Sequence, residues 1–250
     1  MSSDLTQQPL NLRCVALTGT FETSFPPPGC FTTLTGDFDG QGLSYSALQW
    51  NLGQGTLQPL LDEMNTHHPD LMLRLFGDAH PQLSKMLSLP RPRQLAWARS
   101  VQTATHKVEE RWAGYFRDLG RTSEFQTIAM RHAAALYDGA LAFCRNLGLH
   151  SQRAAALMFD IKVQNGGINT TALAAIERDM AALPAGDPDV IEAARMRAVA
   201  NRVADSANPR WREDVRLRKL VVANGTGVVH GMHYDLAAQF ALTMSPWQGA

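Results

Sequence analysis

No run of about 18 uninterrupted apolar residues occurs anywhere in the chain, so nothing in it reads as a membrane-spanning helix. The first eight residues carry neither a basic stretch nor an apolar core, so an ordinary secretory signal is not expected. Cysteine is scarce: Cys14, Cys30 and Cys144, an odd number without CxxC spacing, leave no zinc knuckle. Pairing of Cys14 with Cys30 stays open for an oxidising compartment, but three buried free thiols is the simpler expectation. Net charge is absent too, with 23 basic and 23 acidic side chains, so nucleic acid is not implied as a partner. Repeats and low-complexity tracts are missing. Gly225 and Gly227 make a lone GxG without the preceding strand of a dinucleotide site. Cys144 lacks the His and Asn company of a thiol nucleophile. His230 and His233 have an HxxH spacing, but no glutamate lies between them as in a zinc-protease helix, and they read as ordinary polar histidines. Neither a metal nor a cofactor is therefore expected.

What the chain does contain is a helical pattern, with 45% apolar and 18% charged residues. Apolar spacing predicts an amphipathic helix from Leu5 to about Phe21, with Glu22 near its C-terminal end. Pro26 to Gly29 then force an extended or turning segment. From Thr32 to Tyr45, short alternation with turns at Gly36 and at Gly40 to Gly42 predicts a small hairpin-like sheet. Helices follow over Ala47–Met64 (interrupted near Gly53), Leu71–Met86, Arg93–Leu119, Ser123–Leu147, Ser151–Val163, Thr170–Leu183, Pro188–Asp205 and Pro209–Ala223. The fold class is mainly α (α+β), and one two-lobed domain over residues 1–250 is expected. Between Lys85 and Arg121, eight bases outnumber three acids. This is most simply a solvated helix face, and otherwise a surface suited to an anionic polymer.

Chemistry is concentrated near the N-terminus. Glycosidic cleavage needs one carboxylic acid to protonate the leaving oxygen and a second carboxylate to activate water. Glu22, near a helix end and close to Phe21, Phe25 or Trp50, suits the acid, because burial beside aromatic side chains favours a protonated carboxyl. Asp39, in a Gly-rich turn, suits the base. Asp37, two residues earlier, is the rival, and either aspartate has a turn-capping role open to it. Gly40 and Gly42 permit positive φ and close approach of a sugar to the backbone. Ser44, Tyr45, Gln49 and Asn51 offer hydrogen bonds to water or sugar hydroxyls, and Tyr45 also offers a stacking ring. Trp50 is read as core. Asp160, inside an apolar helix, is read as a paired structural acid, with Arg195, Arg197, Arg202, Arg212 and Arg216 as candidate partners.

The segments Glu22-Thr-Ser, Asp39-Gly-Gln-Gly-Leu-Ser-Tyr45 and Gly53-Gln-Gly-Thr-Leu57 resemble the signature of family-46 chitosanases. Those enzymes carry Glu-Asn-Ser, Asp-Gly-Arg-Gly-Tyr-Thr and Gly-Thr-Gly-Asp-Met-Leu in the same order. A weaker echo lies at Phe159 to Val163 and Gly166 to Ile168. The resemblance implies a lysozyme-like fold of two mainly helical lobes with a small β-hairpin sheet at the cleft. It also implies Glu22 as acid, Asp39 as base and Ser44 as water-positioning residue, in an inverting mechanism with carboxyls about 6.5–9.5 Å apart.

Ser44 to Gln49 is similar as well to a motif of lytic transglycosylases and goose-type lysozymes. The stretch as a whole looks like lysozyme domains of phage and of secretion-system effectors. The family's Arg is replaced here by Gln41, and spare acids to attract a polycationic chitosan chain are few. Peptidoglycan glycan strands are therefore the expected substrate, cleaved by a muramidase-type hydrolase. Asp37, Tyr45, Gln49 and Asn51 are the expected substrate contacts. Lytic transglycosylase, chitosanase and a catalytically silent wall-binding module are the alternatives. The expected place of action is the periplasm or wall of a target bacterium, reached by another route or as part of a larger protein. A delivery or immunity protein is a candidate partner.

Overall fold

The computed structural model describes residues 5–248. Close contacts divide it into two compact units: Glu22–His132, and the residues before Glu22 together with those from Ala133 onward.

In chain order, helix α1 (Leu10–Thr23) leads into strands β1 (Leu34–Thr35), β2 (Ser44–Tyr45) and β3 (Trp50–Asn51). Helices α2 (Gln58–His67), α3 (Pro69–Phe76), α4 (His80–Leu87), α5 (Arg91–Ser100) and α6 (Glu110–Gly120) complete the first unit, apart from the start of α7 (Ser123–Asn146). Next come α8 (Gln152–Asn165), α9 (Thr170–Ala181), α10 (Pro188–Asp205) and α11 (Arg212–Asn224). Hairpin strands β4 (Thr226–Val229) and β5 (Met232–Asp235) and the short α12 (Leu236–Phe240) end the described chain. The fold is mainly α with a small antiparallel sheet, as the sequence pattern implies.

The first unit is organised around rings. Tyr45 meets Phe116 edge-on at 4.9 Å and Phe125 at 5.0 Å, and Phe76 meets Phe116 at 5.5 Å. The sheet pairs Leu34 with Tyr45 and Tyr45 with Trp50, so its inner face is anchored in that cluster. Three expected helices differ here, and Ala47–Met64 is helical only from Gln58, its first half forming β3 and turns. Arg93–Leu119 becomes α5 and α6, because Thr103 closes a local loop through Lys107 and His106 adopts φ 59°. Leu71–Met86 divides at Gly77, whose φ of 49° ends α3. Of the basic residues, Arg117 pairs with Glu110 and Arg121 with Asp118, both pairs solvent-exposed and of small energetic weight.

The second unit is built on α8, buried without interruption from Ala154 to Ile161. A helix apolar all round can sit only inside a core. Ser151 caps its first turn through the Ala154 amide, and Gly166, with φ 74°, ends it. Asp160 is fully buried there and takes the Arg218 guanidinium at 2.6 Å, the Lys219 ammonium at 2.5 Å and the Thr18 hydroxyl at 3.1 Å. Asp160 is thus a paired structural acid, as expected, but none of the five candidate arginines is the partner. Arg202 and Arg216 hold Asp179, Asp205 and Glu213, and Arg195 reaches the Gly148 carbonyl. The three cysteines are free and buried, without a Cys14–Cys30 bond, and burial raises the thiols of Cys30 and Cys144 to about 12.

Candidate active site

Glu22 occupies the last turn of α1 and is half-buried. The helix stops there because Thr23 Oγ1 accepts a hydrogen bond from the Phe25 amide at 3.2 Å and Ser24 turns left-handed at φ 60°. The second candidate acid, in the same unit, lies on the loop joining β1 to β2, and that loop is clamped from within. Asp37 Oδ1 accepts the Gly42 amide at 2.9 Å, its Oδ2 takes Arg99 Nε at 2.7 Å, and its own amide donates to Gln102 Oε1 at 2.8 Å. Gly40 and Gly42, at φ 84° and 80°, make the left-handed steps of the return. Asp39 is exposed at the tip, and among the described residues it is held only by the Gln41 amide at 3.0 Å.

The two aspartates therefore divide their roles. Asp37 is 6% exposed, and both its oxygens are committed to the loop. Its burial disfavours the charged form, but the Gly42 amide and the Arg99 guanidinium outweigh this and hold its carboxyl below the usual range. It is a loop clamp and does not present itself to substrate, a correction of the contact and rival-base roles. Asp39 keeps a carboxylate facing solvent.

Ser44, half-buried in β2, sits opposite Thr35 and Asn51 in register. Its hydroxyl makes no hydrogen bond among the described residues, which suits it to hold a water molecule. Of the other expected contacts, Tyr45 and Asn51 are corrected by their burial. Tyr45 is fully buried, and its hydroxyl donates to the Phe116 carbonyl at 2.6 Å, so its ring cannot reach a sugar. Asn51 is 7% exposed, and its Oδ1 accepts the Gln54 amide. Gln49 spends its amide on Thr35 Oγ1 and the Ser46 carbonyl, both at 2.8 Å. Each frames the sheet behind the loop. Trp50, read as core, is buried.

Gly36, at the start of the loop, has no room for a side chain: a Cβ there would collide with the His106 carbonyl and the Gln102 side chain. Gly36→Ala is therefore expected to cost about 1–3 kcal/mol, because a rigid backbone atom would have to move. Chemical denaturation measures this, and a midpoint unchanged from wild type would refute the close fit.

His230 is no metal ligand of a helix. It lies in the tight turn between β4 and β5, where His230 and Gly231 both have positive φ, and its Nε2 meets Asp214 at 2.5 Å. His233 is an exposed strand residue opposite Val228. Among the described residues no group of three or more His, Cys, Asp or Glu side chains is disposed to hold a metal ion.

Sequence reasoning did not single out two exposed aromatics. Phe38 immediately precedes Asp39 and is 67% exposed. Trp211 is 54% exposed and borders a cavity of about 720 Å³ in the second unit, lined also by Phe143, Asn165, Gly167 and Asn208. No sequence signal separates a solvent-facing ring from a core ring in short or irregular segments.

Solved structures share this fold. A family-46 chitosanase of Gynuella sunshinyii in complex with chitotetraose aligns over 91% of this chain and 97% of its own, with a TM-score of 0.58 and 14% identity. The native chitosanase of Bacillus subtilis MY002 aligns over 87% of this chain and 88% of its own, with a TM-score of 0.56 and 20% identity. Chitosanase OU01, solved with substrate, covers 94% of this chain and 100% of its own at a TM-score of 0.56 and 20% identity. No protein-family model and no curated protein matches the chain. The chain has the mainly α, lysozyme-like fold of family-46 chitosanases.

Proposed function

We propose that the protein is a glycoside hydrolase that cleaves the glycan strands of peptidoglycan. In this reading Glu22 protonates the glycosidic oxygen. Asp39 draws a proton from a water molecule positioned by Ser44, and that water attacks the anomeric carbon from the opposite face with inversion. The observation that carries the reading is the division of labour on the loop. A neighbouring aspartate does the structural work and leaves Asp39 exposed, in the same unit as the half-buried Glu22.

Gln41 stands where the chitosanases carry Arg, and Arg99 occupies Asp37, so that of the loop's two aspartates only Asp39 faces solvent. This scarcity of spare acids supports peptidoglycan over a polycationic chitosan chain. Chitosan is the second reading, favoured by the chitosanases that share the fold. Under the peptidoglycan reading the protein acts in the periplasm or wall of a target bacterium, with a delivery or immunity protein as partner.

A digest of purified sacculi, resolved by mass spectrometry, tests the reading, with chitosan run in parallel. Hydrolysis gives reducing muropeptides one water heavier than the 1,6-anhydro products of a lytic transglycosylase. Anhydro products alone would overturn the role of Asp39 as base, and release from chitosan but not from sacculi would move the substrate to the second reading. Binding to sacculi without any product would leave a wall-binding module.

A further inference from the structure

We propose that Phe38, backed by His106, is a platform on which one pyranose ring of the glycan stacks beside the bond being cleaved. This deepens the hydrolase reading and rests on it for the placement of substrate near Asp39. A phenylalanine is ordinarily buried, since its exposure leaves a large apolar area in water. Phe38 is 67% exposed, and among the described residues the one ring it touches is His106, at 5.5 Å between centroids and tilted by 54°.

The fold does not need this ring for its core, yet it holds the backbone beneath it tightly. The Phe38 amide donates to the Gly36 carbonyl at 3.0 Å, the Asp37 clamp lies on one side, and the 101–109 segment abuts Gly36. An aromatic surface fixed before ligand arrives loses little conformational freedom on binding. The axial hydrogens of a β-linked pyranose present a weakly polarised face that suits such a ring, as aromatic faces suit partially positive edges. The unit expected on Phe38 is an N-acetylated amino sugar. Its acetyl methyl adds apolar contact beside the ring.

The test uses the full chain carrying Glu22→Gln, so that binding is read without turnover. The probes are purified sacculi and tetra-N-acetylchitotetraose. Adding Phe38→Ala is expected to weaken binding of both about tenfold, the scale of one aromatic contact. Phe38→Trp should restore binding to within about twofold of the parent, because ring area is what matters. In the otherwise wild-type enzyme, Phe38→Ala should raise KM with little change in kcat. Binding within twofold of the parent for Phe38→Ala, no rescue by Trp, or a parent that binds neither probe overturns the proposal. An inactive wild type whose binding still falls tenfold on loss of Phe38 would instead refute the hydrolase reading alone.

Discussion

Glu22→Gln is expected to lower the rate of wall lysis by about 10³-fold or more, with thermal stability nearly unchanged. Gln keeps the size of the side chain and its hydrogen-bonding reach but has no proton to give to a leaving sugar oxygen. Asp39→Asn should act on the same scale, since the exposed carboxylate is the group proposed to take the proton of water. The informative contrast is Asp37→Asn. Asp37 holds the Gly42 amide and Arg99, so its loss should loosen the loop and cost about 1–3 kcal/mol of stability, with activity falling as a consequence. Activity lost without stability marks Glu22 and Asp39; activity and stability lost together marks Asp37. Lysis by Glu22→Gln at the wild-type rate would remove the acid from the mechanism.

The parts of the fold legible in the sequence are those whose ends are written in local chemistry. Helix α10 begins at Pro188, where the Asp187 side chain accepts the amides of Asp189 and Val190. Asn169 does the same for α9 and Ser151 for α8. The local settings of Glu22 at a helix end and Asp39 in a glycine turn were legible because both are set by nearby residues. What the sequence hid depends on contacts distant in the chain. Strands of two residues carry too little alternation to say which face is buried, so the burial of Tyr45 and Asn51 is not written in the sequence. The β4–β5 hairpin gives no turn signal in the sequence, because its turn uses His230 and Gly231 at positive φ in place of the usual Asn-Gly. An arginine-rich helix gives no sign of which cation turns inward, and only packing against α8 selects Arg218 and Lys219.

That inward pair leads to the largest expected effect on stability. Asp160→Asn should destabilise the protein by about 3–5 kcal/mol, because two buried cations lose their shared carboxylate and cannot be rehydrated. The thermal midpoint should fall by roughly 10 °C on this scale. Burial by itself would raise the Asp160 carboxyl, but Arg218 and Lys219 more than reverse this and hold it at about 2, below its ordinary 3.8. The sign follows from that direction. An acid held lower in the folded state than in the unfolded one contributes stability in full above the unfolded value, and loses it as pH falls through the folded one. The wild type should accordingly lose stability between about pH 4 and 2, and Asp160→Asn should lose less over the same interval, since its charge is already gone. Replacing Asp160, Arg218 and Lys219 together by Leu, Met and Met should recover much of the stability, because well-packed apolar residues can substitute for a buried ion cluster. A single Asp160→Asn variant within about 1 kcal/mol of wild type, with an unchanged acid slope, would show that the cations find other counter-charges and that the cluster is not the pin of this core.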